Sequence, residues 1–304
     1  MRTAMGQSLG WRQRQRYAWM LGLAPSLVVL TLLTLIPAAA LLIVSLTPFS
    51  LTNPEATFTF SNPLVNYQQL LHDDRFLNSL VTQLKLSVVS VLFQVLIGLL
   101  LALLLNGTSR WLNGVRTLLL IPMVLPPIIV ALIWKIIYTP DISPLHQVLD
   151  RFNLPLDSLI ANPDTALWAI VVADVWQWFP FTMLMVLAAL QMVPNEPREA
   201  ASLDGASPFN IFRYVVFPHL KPVLAVCILF RLIDSFKAFP LIYILTDGGP
   251  GSVTEVTNYY GFIQAFNFSW WGYGSAIAVV ILVGVFILSW LIGRAGWNDD
   301  NTTE

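Results

Sequence analysis

The chain has 304 residues, of which 56% are hydrophobic and 11% charged, with net charge −1 and mean hydropathy +0.70. Soluble domains carry about 25% charged residues, so most of this surface does not face water, and the charge balance leaves no nucleic-acid footprint. A lone Cys227 excludes an intrachain disulfide and a cysteine metal site, and His72, His146 and His219 stand singly, so neither a metal centre nor a catalytic group is expected.

Residues 1–17 form a basic start holding Arg2, Arg12, Arg14 and Arg16 without an acid. The apolar run 18–46 follows. It exceeds the roughly 7–15 residues of a signal-peptide core and lacks a small-residue cleavage pattern, so it reads as a retained first span. Loop 47–78 is turn-rich, with Pro48, Pro54 and Pro63. Five more runs, 79–105, 117–137, 165–193, 222–245 and 272–293, each reach the ~20 residues that cross a bilayer. The fold class expected is an all-α membrane protein of six transmembrane helices, with a tail at 294–304. An even number of spans puts both termini on one side. Placing them in the cytoplasm leaves ten basic residues inside (Arg2, Arg12, Arg14, Arg16, Arg110, Arg116, Arg198, Arg213, Lys221 and Arg294) against Arg75 and Arg151 outside.

Prolines interrupt the spans: Pro122, Pro126 and Pro127 in the third, Pro180 in the fourth, Pro240 in the fifth. Each removes a backbone bond and should kink its helix, either to let helices rock or as fixed shape. Loop 138–164, with Asp141 and Pro144 in a turn, can hold a short amphipathic helix near 143–152. The fourth span carries Asp174, Trp176, Gln177, Trp178 and Phe179. Polar groups beside aromatic faces suit sugar recognition, though for any single one of them subunit packing plus a belt tryptophan is the more ordinary reading. Gln94 in the second span is a weaker candidate of the same kind.

Between the fourth and fifth spans lies a polar stretch, 194–221. Pro197 precedes the helix formers Arg198, Glu199, Ala200 and Ala201, Gly205 interrupts them, and Asn210 to Phe217 can resume a helix. This is a helix–turn–helix elbow presented to water. The fifth span then carries Arg231, Asp234 and Lys237 at i, i+3 and i+6, a spacing that keeps all three on one broad face. Charges at such depth mark pathways more often than lipid-facing surface. Loop 246–271 opens on Thr246-Asp247-Gly248-Gly249-Pro250-Gly251, a turn needing unusual backbone angles, and continues into an aromatic cluster suited to interfacial anchoring. No Gly precedes any of the four lysines, so the chain has no P-loop.

The elbow resembles the EAA loop of binding-protein-dependent ABC transporter permeases. Glu199, Ala200, Ala201, Gly205 and Pro218 match the family pattern; Val215 and Phe217 replace its Ile and Leu with other apolar groups. Leu203-Asp204-Gly205-Ala206 is similar to the carbohydrate branch, as is the segment from Phe236 through Tyr243 to Pro250. Pro240 departs from that segment, since many members have an acid there. Asn66-Tyr67 resembles the family's entry into its core, and reads equally as a loop turn.

The resemblance implies the type I importer permease fold, with residues 79–293 as the transmembrane core after the first helix. It implies a permease subunit that moves a sugar delivered by an extracytoplasmic sugar-binding protein, in a heterodimer with a second homologous permease in the bacterial inner membrane. ATP and Mg would be bound by two partner ATPase subunits and no cofactor by this chain. Glu199, Ala200, Ala201, Asp204, Gly205 and Pro218 would couple to the ATPase. Asp174, Trp176, Gln177, Trp178, Arg231, Asp234, Lys237 and Tyr243 are the candidate substrate path. The alternatives are a polyol, glycerol phosphate or other polar solute as cargo, or an ion-driven secondary transporter.

Overall fold

A computed structural model describes residues 5–297, apart from 54, 56, 57, 141 and 153–156, and every regular element among them is a helix. Arg2, Asp141, the tail beyond 297 and the side chains of Arg12, Arg14 and Arg16 lie outside the described residues.

Five helices hold stretches long and apolar enough to cross a membrane: α1 (Met5–Ser45), α3 (Asp74–Leu104), α8 (Ala166–Leu190), α11 (Phe217–Ser235) and α14 (Trp271–Trp297). Short helices join them: α2 (Val65–Leu71), α4 (Arg110–Leu119), α5 (Ile121–Val124), α6 (Pro127–Tyr138), α7 (Pro144–Arg151), α9 (Asn195–Leu203), α10 (Pro208–Ile211), α12 (Phe239–Leu245) and α13 (Thr257–Phe262). The amphipathic helix expected near 143–152 is α7, capped by the Ser143 hydroxyl.

Two expected spans differ from the reading above. The run 117–137 is not one kinked helix but three pieces, α4, α5 and α6. A proline pushes the residue before it out of the helical region, and two in a row do so twice: Leu125 and Pro126 sit at ψ 137° and 139°. The 12 residues of α6 rise only about 18 Å. The run 222–245 likewise stops at Ser235, turns through Phe236–Ala238, and restarts as α12. Pro240 lies in the first turn of α12, where a missing N–H leaves nothing unsatisfied, so it starts a helix where a kink was expected. Helix α8, by contrast, runs unbroken through Pro180.

Helices α3 and α8 form the centre, and α11 packs on both. Gly98 lets α3 and α8 come close: an added Cβ there would stand 2.6 Å from Thr182 Cβ and 2.9 Å from Met183 N. Toward the elbow, Ala102, Met183, Val186, Leu187, Leu220 and Leu224 share one apolar cluster. Helix α12 fits against α6 and α8, burying Leu241, Ile242 and Leu245. Helix α1 packs along α14. Leu23, Leu27, Leu30 and Leu33 of α1 are each more than half exposed, a surface that water would penalise and lipid would not.

The end opposite the elbow is tied by side chains. The Asp73 carboxylate caps α3 by accepting from the Arg75 and Phe76 amides, and accepts the hydroxyls of Tyr260 at 2.5 Å and of Tyr273. Arg75 grips buried Glu255 through two bonds of 2.7 and 2.9 Å. Buried Asn66 donates to the carbonyls of Ser45 and Thr47, both at 2.8 Å, and Tyr67 bonds the Ser45 hydroxyl, so this pair fastens the end of α1 to α2.

Candidate functional site

The elbow is built by local rules. Pro194 leads into α9, and Gly205 ends it at φ +79°. The Gly205 amide donates to Ser202 O and the Ala206 amide to Ala201 O, the paired bonds of a glycine-terminated helix. The turn role expected of Gly205 is therefore its geometry. Asp204 is the C-cap residue, its amide bonded to Ala200 O. Ser207 then caps α10, its hydroxyl accepting from the Asn210 amide, and a π-helical turn at Phe212–Val216 leads into α11.

What the elbow exposes is not what a solvated loop exposes. Leu203, Phe209 and Tyr214 are 88%, 65% and 70% exposed, beside exposed Glu199, Ala200, Asp204 and Pro218 and half-buried Ala201. A groove of about 570 Å³ runs along α9 past Arg198, Glu199, Leu203 and Ile211. A second, of about 440 Å³, lies between Phe209, Tyr214, Phe217 and Pro218. The elbow thus groups exposed apolar side chains with charged ones beside two grooves.

The second site lies within the helices. Asp174 stands eight residues inside α8, about 12 Å from its end. It is buried, and its Oδ2 accepts from Gln94 Nε2 at 2.8 Å. Gln94 Oε1 in turn accepts from Arg231 Nε at 2.9 Å. Arg231 is 1% exposed, lies 4.3 Å above the Trp178 ring, and donates from Nη1 to Asp234 at 3.3 Å. Lys237 donates to the other Asp234 oxygen at 3.4 Å. The chain of contacts thus runs from a sealed carboxylate outward to Asp234 and Lys237, whose side chains are 42% and 71% exposed. Below it, Gln83 donates to the Ser87 hydroxyl and to Ser235 O, and the Ser235 hydroxyl donates to Ser87 at 2.7 Å.

The structure therefore gathers Asp174, Trp178, Arg231, Asp234 and Lys237. It places three other candidates elsewhere. Gln177 donates to Leu125 O at 3.3 Å, the carbonyl freed where α5 breaks, a structural task. Trp176 packs edge-on against Trp134, their centroids 5.8 Å apart. Tyr243 stacks on Phe239 at 5.4 Å, beside Tyr259 and Phe262. The hub is Gln94, the weaker candidate by sequence. The signal that finds it is a polar stripe on α3, Gln83, Ser87, Ser90 and Gln94, whose steps of four, three and four residues hold one helix face.

The Gly-Gly-Pro turn is also structural. Asp247 and Gly248 take φ +51° and +80°, the Gly249–Pro250 peptide is cis, and Tyr259 donates to Asp247 at 2.6 Å. A Cβ on Gly248 would meet Tyr259 Cε1 at 2.7 Å. Among the described residues no group of three or more His, Cys, Asp and Glu is placed to hold a metal ion.

Membrane-length helices with charged groups buried among them define a multi-pass membrane protein. Comparison with known proteins narrows the class. The model of the family described as binding-protein-dependent transport system inner membrane component matches residues 94–295, and the chain belongs to that family. It is an ABC transporter permease, a transport component and not an enzyme, as the spacing of Glu199, Gly205 and Pro218 implied. The trehalose/maltose transport system permease protein MalF of Thermococcus litoralis is 36% identical over 269 residues, 88% of this chain and 90% of the relative. The trehalose transport system permease protein SugA of Mycobacterium tuberculosis is 32% identical over 291 residues, 95% of this chain and 92% of the relative. A chain of the crystal structure of a bacterial alginate ABC transporter, in complex with alginate pentasaccharide-bound periplasmic protein, aligns with TM-score 0.82 at 18% identity. It covers 96% of this chain and 98% of that chain, and shows the shared fold.

Proposed function

We propose that this chain is one of two similar permease subunits that form the route for a sugar handed over by an external binding protein, in the bacterial cytoplasmic membrane. The interrupted run α4–α6 counts as the third of six spans. Both termini and the elbow face the cytoplasm, where Glu199, Ala200, Ala201, Asp204, Gly205 and Pro218 meet one of two ATPase subunits. Nucleotide-driven closure of those ATPases moves the elbow, and α11, continuous with it through the π-helical turn, shifts against α3 and α8.

One observation carries the route reading. Asp234, the penultimate residue of α11, and Lys237, in the turn that joins α11 to α12, have exposed side chains beside buried Arg231 within an apolar run, and lipid tails would not accept charge there. Water must therefore reach that face, as it does in a route shared with a second subunit. The names of the two relatives, both permeases for trehalose or for trehalose and maltose, support a sugar as the solute. The test is uptake of labelled trehalose and maltose into proteoliposomes holding this chain with its co-purifying permease, ATPases and binding protein. Uptake that requires ATP supports the proposal; equal uptake by this chain alone, without ATP, overturns it.

A further inference from the structure

The charge cluster contains two cations, Arg231 and Lys237, and two carboxylates, Asp174 and Asp234. Asp234 faces both cations, one from each oxygen. Arg231 is further occupied by Gln94 and by the Trp178 ring. A wall so arranged presents Asp234 and Lys237 to solute hydroxyls and leaves no positive charge unmatched. We propose that Asp234 neutralises the α11 wall of the route, and that the permease accordingly admits neutral polyhydroxylated solutes and discriminates against anionic ones such as uronates and sugar phosphates. This rests on the route reading above, and makes Asp234 a specificity-determining residue within it.

Thiol labelling of the whole transporter in membranes tests the idea. Cys227, the single cysteine of the chain, is buried, so an introduced thiol reports alone in this subunit. Phe230 is 54% exposed and lies one helical turn before Asp234 on the same face of α11, with Lys237 in the turn just beyond the helix end. Phe230→Cys is treated with a sulfonate-bearing and a trimethylammonium-bearing methanethiosulfonate, and labelling of this chain is followed by mass. With Asp234 intact, the ratio of the two rates should match that of a free thiol in water within about threefold. Adding Asp234→Asn leaves the outer wall net positive and should raise the sulfonate-to-ammonium ratio roughly tenfold, the size a unit charge one helical turn away gives in a wet site. Excess glucuronate should slow labelling in the Asn variant only. An unchanged ratio on Asp234→Asn, or protection by glucuronate with Asp234 present, overturns the charge-balance proposal and leaves the route intact. Failure of both reagents in every variant overturns the water-facing route, and this proposal with it.

Discussion

Gln94 stands between Asp174 and Arg231, taking a hydrogen bond from the guanidinium with one end of its amide and giving one to the carboxylate with the other. Both charged groups are buried, so neither has water as an alternative partner. Gln94→Leu keeps the volume and removes both bonds. Leaving a buried charged group without its partner costs about 1–3 kcal/mol or more, so we expect a clear fall in the melting temperature of the purified complex. An unchanged melting curve would show that the amide is dispensable.

Gly205→Val places a β-branched residue at φ +79°, a region that costs an ordinary L-residue about 1–2 kcal/mol. Nothing lies within 4 Å of a Cβ built there, so the strain is conformational and local to the elbow. We expect membrane insertion to be normal and uptake to be uncoupled from ATP turnover. Normal uptake in the variant counts against a coupling role for the turn.

Gly98→Ala drives a methyl group into Thr182 and the Met183 backbone, where α3 meets α8. Overpacking of this kind costs about 1–3 kcal/mol. Gly114→Ala, on α4 with open space around it, is the matched control. Lower thermal stability of the first variant and none lost in the second is the expected pair of results, read by melting in detergent.

Asp73 predicts an acid response. Burial raises its carboxyl pKa, but the hydroxyls of Tyr260 and Tyr273 and the amides of Phe76 and Arg75 outweigh that and hold it below the ordinary 3.8. A carboxyl depressed in the folded state stabilises fully above its unfolded pKa and loses that contribution as pH falls through the folded one. Stability of the wild type should therefore fall as pH drops from about 4, and Asp73→Asn should be less stable at neutral pH and flatter across that window. Parallel pH profiles of the two melting temperatures would refute the assignment.

Much of this was legible in the sequence, and for physical reasons. The elbow follows from residue types that act locally: a proline that starts a helix, a glycine that ends one. Helix α8 was expected at 165–193 and lies at Ala166–Leu190, since an unbroken apolar run has little choice within a bilayer. The proline pair Pro126-Pro127 suggests a kink where the chain breaks, because the sequence does not say that Gln177 waits 52 residues on to take up the freed Leu125 carbonyl. Pro240 is ambiguous in the same way: a proline inside an apolar run looks alike whether it bends one helix or begins the next. The charge cluster is the least local feature. Its hub bonds Asp174 at 80 residues' separation and Arg231 at 137, and an uncharged amide on α3 draws no notice until those partners are beside it.

The coupling role of the elbow is tested most directly by proximity in the assembled transporter. Leu203, 88% exposed at the end of α9, is replaced by a photoreactive phenylalanine analogue and irradiated in the whole complex in membranes. The account predicts an adduct between this chain and a nucleotide-hydrolysing subunit, with a yield that changes when a non-hydrolysable ATP analogue is bound. An adduct only with lipid or with an external binding protein would contradict it.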